Sequence, residues 1–160
     1  MANLLEEQIG NALRERGLKI ALAESCTGGL AGSRITDMPG SSDYFLGSLV
    51  AYAYDAKANL LDVSWNTLNT YGAVSQETVL EMARGARSAF GADIAVSISG
   101  IAGPGGGLPA KPVGTVWLGL VASNGEWTRM FLFPGSRVQV KAASADAALQ
   151  FVSDYLQGMV

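Results

Sequence analysis

Short apolar runs alternate with helix-length segments along the first two-thirds of this chain, and that alternation restricts the fold more than any other feature. Lys19–Ala23, Phe45–Ala53 and Ile94–Ser99 read as strands. Leu5, Ile9 and Leu13 recur at helical spacing before the first of them. A second helix is predicted from the Thr27–Gly29 turn to Thr36, where Pro39-Gly40 stops it, and Asp55–Leu61 is helical in character. Val74–Phe90 sets Val79, Met82, Ala83, Ala86 and Phe90 on one face behind a good N-cap, Ser75. Strands joined through helical crossovers in one sheet run parallel. The loop Gly100–Pro112, with five glycines and three prolines, holds no helix. Asn124-Gly125 is a strong two-residue hairpin signal between Gly114–Ala122 and Trp127–Phe133. The fourth strand is therefore predicted antiparallel to its neighbours. A last helix presents Val138, Ala142, Ala145, Leu149, Val152 and Leu156 as one apolar face. The predicted fold is α/β, a three-layer α/β/α sandwich with a mixed five-stranded sheet, in one domain over residues 1–160.

The same sequence closes off several kinds of chemistry. It has no histidine, which rules out a Ser-His-Asp triad, a Cys-His pair and a histidine-ligated zinc site. Its single cysteine, Cys26, forms no internal disulfide and no multi-thiolate zinc site. Proton transfer, if the chain catalyses any, falls to carboxylate, lysine, tyrosine or water. A formal charge of −3 with both signs interspersed gives no basic stripe for nucleic acid. The apolar runs are too short to span a bilayer, so no membrane partner is predicted. Met1–Gln8 carries two glutamates in a helical pattern rather than a charged-then-apolar leader, and a cytoplasmic location is the expectation.

In open α/β sheets ligands bind beyond the carboxyl ends of the parallel strands. Three unusual segments fall at such ends: Glu24–Gly29, Tyr52–Lys57 and Ser99–Gly107. Ser25 follows a strand and precedes Thr27-Gly28-Gly29, which opens a helix whose amides could stabilise an oxyanion. Helix capping by Ser25 or Thr27 would explain the same turn. Cys26 is the rival nucleophile, but no histidine exists to make its thiolate. A serine needs a base, and a desolvated lysine can serve. Moving its pKa from about 10.4 to about 7 costs roughly 4 to 5 kcal/mol, which buried sites impose. Lys57 lies just past the second strand, with Tyr52 five residues earlier to relay a proton or orient the amine. Lys19 sits at the wrong end of the sheet, Lys111 lies in the glycine loop, and Lys141 on the last helix suits a phosphate or solvent. Arg137 at the start of that helix could grip a phosphate bidentately.

Ala23-Glu24-Ser25-Cys26-Thr27-Gly28-Gly29, Tyr52 followed five residues on by Lys57, Gly72-Ala73-Val74-Ser75, Val96–Pro104 and Lys111–Trp117 together resemble the CinA C-terminal domain family, over about residues 4–156. That family includes stand-alone nicotinamide mononucleotide amidohydrolases. The resemblance implies a metal-free, cofactor-free hydrolase that converts nicotinamide mononucleotide to nicotinic acid mononucleotide and ammonia in pyridine nucleotide recycling. It places catalysis on Ser25, Tyr52 and Lys57, and substrate binding on Thr27, Gly28, Gly29, Gly100, Gly103, Thr115, Arg137 and Lys141. The implied partner is a small phosphorylated nucleotide, and a homodimer stays open. The pyrophosphatase-type activity of an additional N-terminal domain in longer relatives is not carried over. The sequence departs from the family's frequent pattern at Pro104-Gly105-Gly106, at Gly135-Ser136-Arg137 and at Val140-Lys141, which bears on phosphate or ribose contacts rather than on the nucleophile. Two readings of another class stand beside this one: a nucleotide-binding module with little turnover acting through partners, and an amidase using Cys26.

Overall fold

The computed structural model describes residues 4–160, so the first three residues of the Met1–Gln8 segment lie outside it. The elements are α1 (Leu5–Arg16), β1 (Ile20–Glu24), α2 (Leu30–Thr36), β2 (Phe45–Val50), α3 (Tyr54–Leu61), α4 (Trp65–Tyr71), α5 (Gln76–Phe90), β3 (Ile94–Gly100), β4 (Thr115–Ala122), β5 (Gly125–Leu132) and α6 (Arg137–Leu156). A short 3₁₀ turn, Ser41–Asp43, precedes β2. The five strands form one sheet in the order β2-β1-β3-β4-β5. β1 is parallel to β2 and β3, and β4 is antiparallel to both β3 and β5. This is the predicted mixed sheet, with its antiparallel fourth strand.

The two faces of the sheet differ in side-chain size. Ile20, Leu22, Ile94, Val96, Ile98, Val116, Leu118 and Leu120 pack with α1, α2 and α6 in the larger core. Ala23 and Ala95 on the opposite face join Leu61, Leu68, Met82 and Ala86 from α3, α4 and α5. Small residues on that face let α5 approach closely: a Cβ on Gly119 would lie 2.6 Å from the Val79 carbonyl, which also accepts from Ser97 Oγ. Helices on both faces complete the three layers.

Most element boundaries lie within a residue or two of the sequence reading, and the differences have local causes. β2 stops at Val50, not Ala53: a last amide bond from Ala51 to the Glu24 carbonyl ties it to β1, and the chain then turns into α3, whose N-cap is Ala53. α4 was not expected; Ser64 caps it, accepting from the amides of Asn66 and Thr67. In α6, Ala145, Leu149, Val152 and Leu156 are buried as expected, but Val138 is 74% exposed. Ala142 is exposed as well, and Val140 and Ser144 take the inner face of the first turns.

Candidate active site

β1, β2 and β3 release their chains at one end of the sheet, and their three following segments meet there. After Glu24 the chain turns sharply into α2 through Gly28 (φ 61°) and Gly29 (φ 103°), both left-handed conformations that a side chain would strain. The Ser25 amide donates to the Ile98 carbonyl at 2.9 Å, tying the turn to β3, and the Gly28 amide donates to the Ser25 carbonyl at 3.1 Å. Backbone bonding thus fixes Ser25 and leaves its hydroxyl for other work.

Lys57, in the first turn of α3, reaches that hydroxyl. Its Nζ lies 2.9 Å from Ser25 Oγ, and it donates at the same distance to the main-chain carbonyls of Ala51 and Tyr52. Only 1% of Lys57 is exposed, and no carboxylate pairs with it among the described residues. Burial lowers its pKa from the usual 10.5 to about 8. Carbonyls only accept, so when the amine is neutral its two N–H bonds can satisfy Ala51 and Tyr52 and its lone pair is left for the Ser25 O–H.

Cys26 is a poor competitor. Burial, with the Glu24 charge adding to it, pushes its thiol up to about 11, so the thiolate is scarce at neutral pH.

Ser25 and Lys57 open on a cleft of about 250 Å³ lined also by Tyr52, Gly100, Gly103 and Arg137. Six of the expected site residues therefore share one cavity. Its remaining wall is Cys26 and the glycine loop with Ser99, Ala73 and Val74, and Ser99 Oγ donates to the Ala73 carbonyl at 2.8 Å. Arg137 crosses the mouth, donating to the Gly103 carbonyl at 2.7 Å and to the Tyr52 hydroxyl at 2.9 Å.

Other expected residues are placed differently. Tyr52 is 59% exposed; its phenol meets Arg137, and it is the Tyr52 main-chain carbonyl that holds Lys57. The Thr27 hydroxyl is turned away, donating to Glu24 at 2.6 Å, and the Gly29 amide donates to the same carboxylate at 3.1 Å. Of the expected oxyanion donors at Thr27–Gly29, the Gly28 and Gly29 amides are thus already engaged, which leaves Thr27, with Cys26, as the turn's amides without a carbonyl partner among the described residues. Thr115 donates to the Pro112 carbonyl and lines a separate groove with Trp117 and Met130. Lys141 does not line the cleft, but its ammonium lies 3.9 Å from where a Gly28 Cβ would stand. Lys19 is bound at the opposite end of β1, to the Asp43 carbonyl, and Lys111 holds the Tyr71 carbonyl.

Two features escaped the sequence reading: the pair of main-chain carbonyls that seat Lys57, and the buried Glu24 carboxylate. For Glu24 a signal existed. A charged residue ending a fully apolar strand must find partners if it stays inside.

The family model of the CinA C-terminal domain matches residues 2–156. The chain belongs to the CinA C-terminal domain family. A CinA-like protein of Chlorobium limicola is 48% identical over 161 residues, covering 98% of this chain and 38% of that protein. Another, from Chlorobaculum tepidum, is 50% identical over 151 residues, covering 91% and 36%. The chain therefore spans under two-fifths of the length of these curated relatives. Among solved structures, a CinA superfamily protein of Klebsiella pneumoniae superposes with a TM-score of 0.93 at 34% identity, over 96% of each chain. The competence/damage inducible protein CihA of Agrobacterium tumefaciens gives 0.91 at 40% identity, over 96% of this chain and 93% of its own. Ser136 is the N-cap of α6 and forms a capping box with Gln139, which fixes the helix start at Arg137.

Proposed function

We propose that this CinA-family domain is an amidohydrolase that uses Ser25 as nucleophile and Lys57 as base, with nicotinamide mononucleotide as its substrate. The observation that carries the reading is the Lys57 Nζ, 2.9 Å from Ser25 Oγ and seated on two carbonyls inside a cleft. The family resemblance supplies the substrate, and a phosphate would find cations nearby at Arg137 and Lys141.

In this mechanism neutral Lys57 takes the Ser25 proton as the oxygen attacks the carboxamide carbon. The C–N bond breaks, Lys57 returns the proton to the departing nitrogen, and ammonia leaves an acyl ester on Ser25. Water, deprotonated by the same amine, then releases the carboxylate and restores the serine. The Cys26 and Thr27 amides, with those of the glycine loop, would face the developing oxyanion. Tyr52 and Arg137 act together at the mouth of the cleft, where binding a remote phosphate positions the amide. Acid-quenched mixing with nicotinamide mononucleotide, read by peptide mass, should show the nicotinate mononucleotide acyl group on Ser25. Product release with water oxygen incorporated and no adduct at any quench time would assign water, not Ser25, as the nucleophile.

A further inference from the structure

Glu24 stands immediately before the nucleophile, is 0% exposed, and has no cation among its partners within the described residues. Five donors surround it instead. Oε2 accepts from Thr27 Oγ1 at 2.6 Å and from the amides of Gly29 and Ala31 at 3.1 Å. Oε1 accepts from the Gly32 amide and from Ser48 Oγ, both at 2.8 Å. The carboxylate therefore occupies the first turn of α2, and Ser48 extends its grip to β2. Its main chain reaches further: the Glu24 carbonyl accepts from the Ala51 amide, and the Ala51 carbonyl accepts from Lys57 Nζ. One residue thus joins the turn that carries the serine to the strand end that seats the lysine.

An acceptor with five donors cannot be replaced by an amide without loss. Glutamine keeps one acceptor oxygen and points an NH₂ at either the Gly32–Ser48 pair or the Thr27–Gly29–Ala31 trio, where donor would face donor. Holding a nucleophile a fraction of an ångström from its productive place costs rate more than binding.

We propose that Glu24 is a positioning residue for the Ser25–Lys57 pair, fixing the nucleophile turn and the lysine seat relative to each other from within the core. The proposal rests on Ser25 being the nucleophile. A small fluorophosphonate reagent tests it without the natural substrate, by reporting the acylation rate of Ser25 against pH. In Glu24→Gln the plateau rate should fall at least tenfold, while the pH midpoint set by Lys57 stays where it is in the unaltered chain. A variant that only loosened the fold would hydrate Lys57 and move that midpoint upward, and such a shift would overturn the proposal. Should Glu24→Gln fail to fold, the double variant Thr27→Val/Ser48→Ala keeps the carboxylate and removes its two hydroxyl donors, and should slow labelling several-fold. Wild-type labelling rates in folded Glu24→Gln, or in the double variant, contradict the positioning role alone. Failure of the unaltered chain to label at Ser25 removes the nucleophile assignment and the proposal with it.

Discussion

At the scale of single residues, the proposed chemistry depends on which group holds a proton. With its pKa near 8, Lys57 is neutral in only about one molecule in ten at pH 7. Turnover should therefore climb with pH and level off above about 8, and a profile flat from pH 6 to 9 would remove Lys57 as the base. Lys57→Ala should lower kcat by about 10²–10⁴-fold, the usual contribution of a positioned acid–base group. Cys26→Ala should retain turnover and its pH profile, because the thiol is protonated well beyond neutrality and the Ser25–Lys57 contact does not use it. Loss of activity in that variant, with the fold intact, would reopen the cysteine reading.

At the scale of elements, the parts that present the site are capped and packed to close tolerances. Ser136→Ala removes the α6 cap and should cost about 1 kcal/mol in denaturant unfolding. It should also weaken substrate binding through Arg137 more than it lowers kcat. Gly85 lies where α5 crosses the end of α3, and any Cβ there runs into the Leu61 carbonyl. Gly85→Ala should cost about 3 kcal/mol, at the upper end of overpacking effects, and loosen the helix that carries Lys57. Elements marked by local pattern were legible in the sequence: the short apolar runs that form β1 and β3 and the α5 stripe with its Ser75 cap lie where their patterns put them, while the hairpin forms one residue earlier than expected, with Ser123-Asn124 at the turn and Gly125 already in β5. Ser25 and Lys57 could be paired because they fall just after adjacent parallel strands. What could not be read depends on main-chain direction. No side-chain pattern reveals that the Ala51 and Tyr52 carbonyls converge on one amine, or that the α2 amides are filled by Glu24 rather than left open. Nor does spacing reveal that the Tyr52 phenol swings to Arg137.

At the scale of the whole molecule, the buried lysine links folding to pH. Its folded pKa is lowered from 10.5 to about 8, so between those values the unfolded chain binds more protons and stability rises with pH. Cys26, raised from 9.0 to about 11, acts oppositely: above about 9 the unfolded chain loses a proton that the folded chain keeps, and stability falls. Burial raises Tyr44 in the same sense. Urea midpoints should therefore increase from pH 7.5 to about 9 and then flatten. Lys57→Met should abolish the increase, and Cys26→Ala should extend it; an unaltered increase in Lys57→Met would show that another group carries it. The same buried amine, beside Ser25 in the cleft, is what the chemistry requires. The most direct measurement is the appearance of nicotinic acid mononucleotide and ammonia from nicotinamide mononucleotide, followed in parallel for the unaltered chain, Ser25→Ala and Lys57→Ala. Equimolar products are expected from the first, and at least a thousandfold less from Ser25→Ala, in the range typical of deleted nucleophiles. Equal product from Ser25→Ala, or none from the unaltered chain while it binds the nucleotide, would contradict the proposed function.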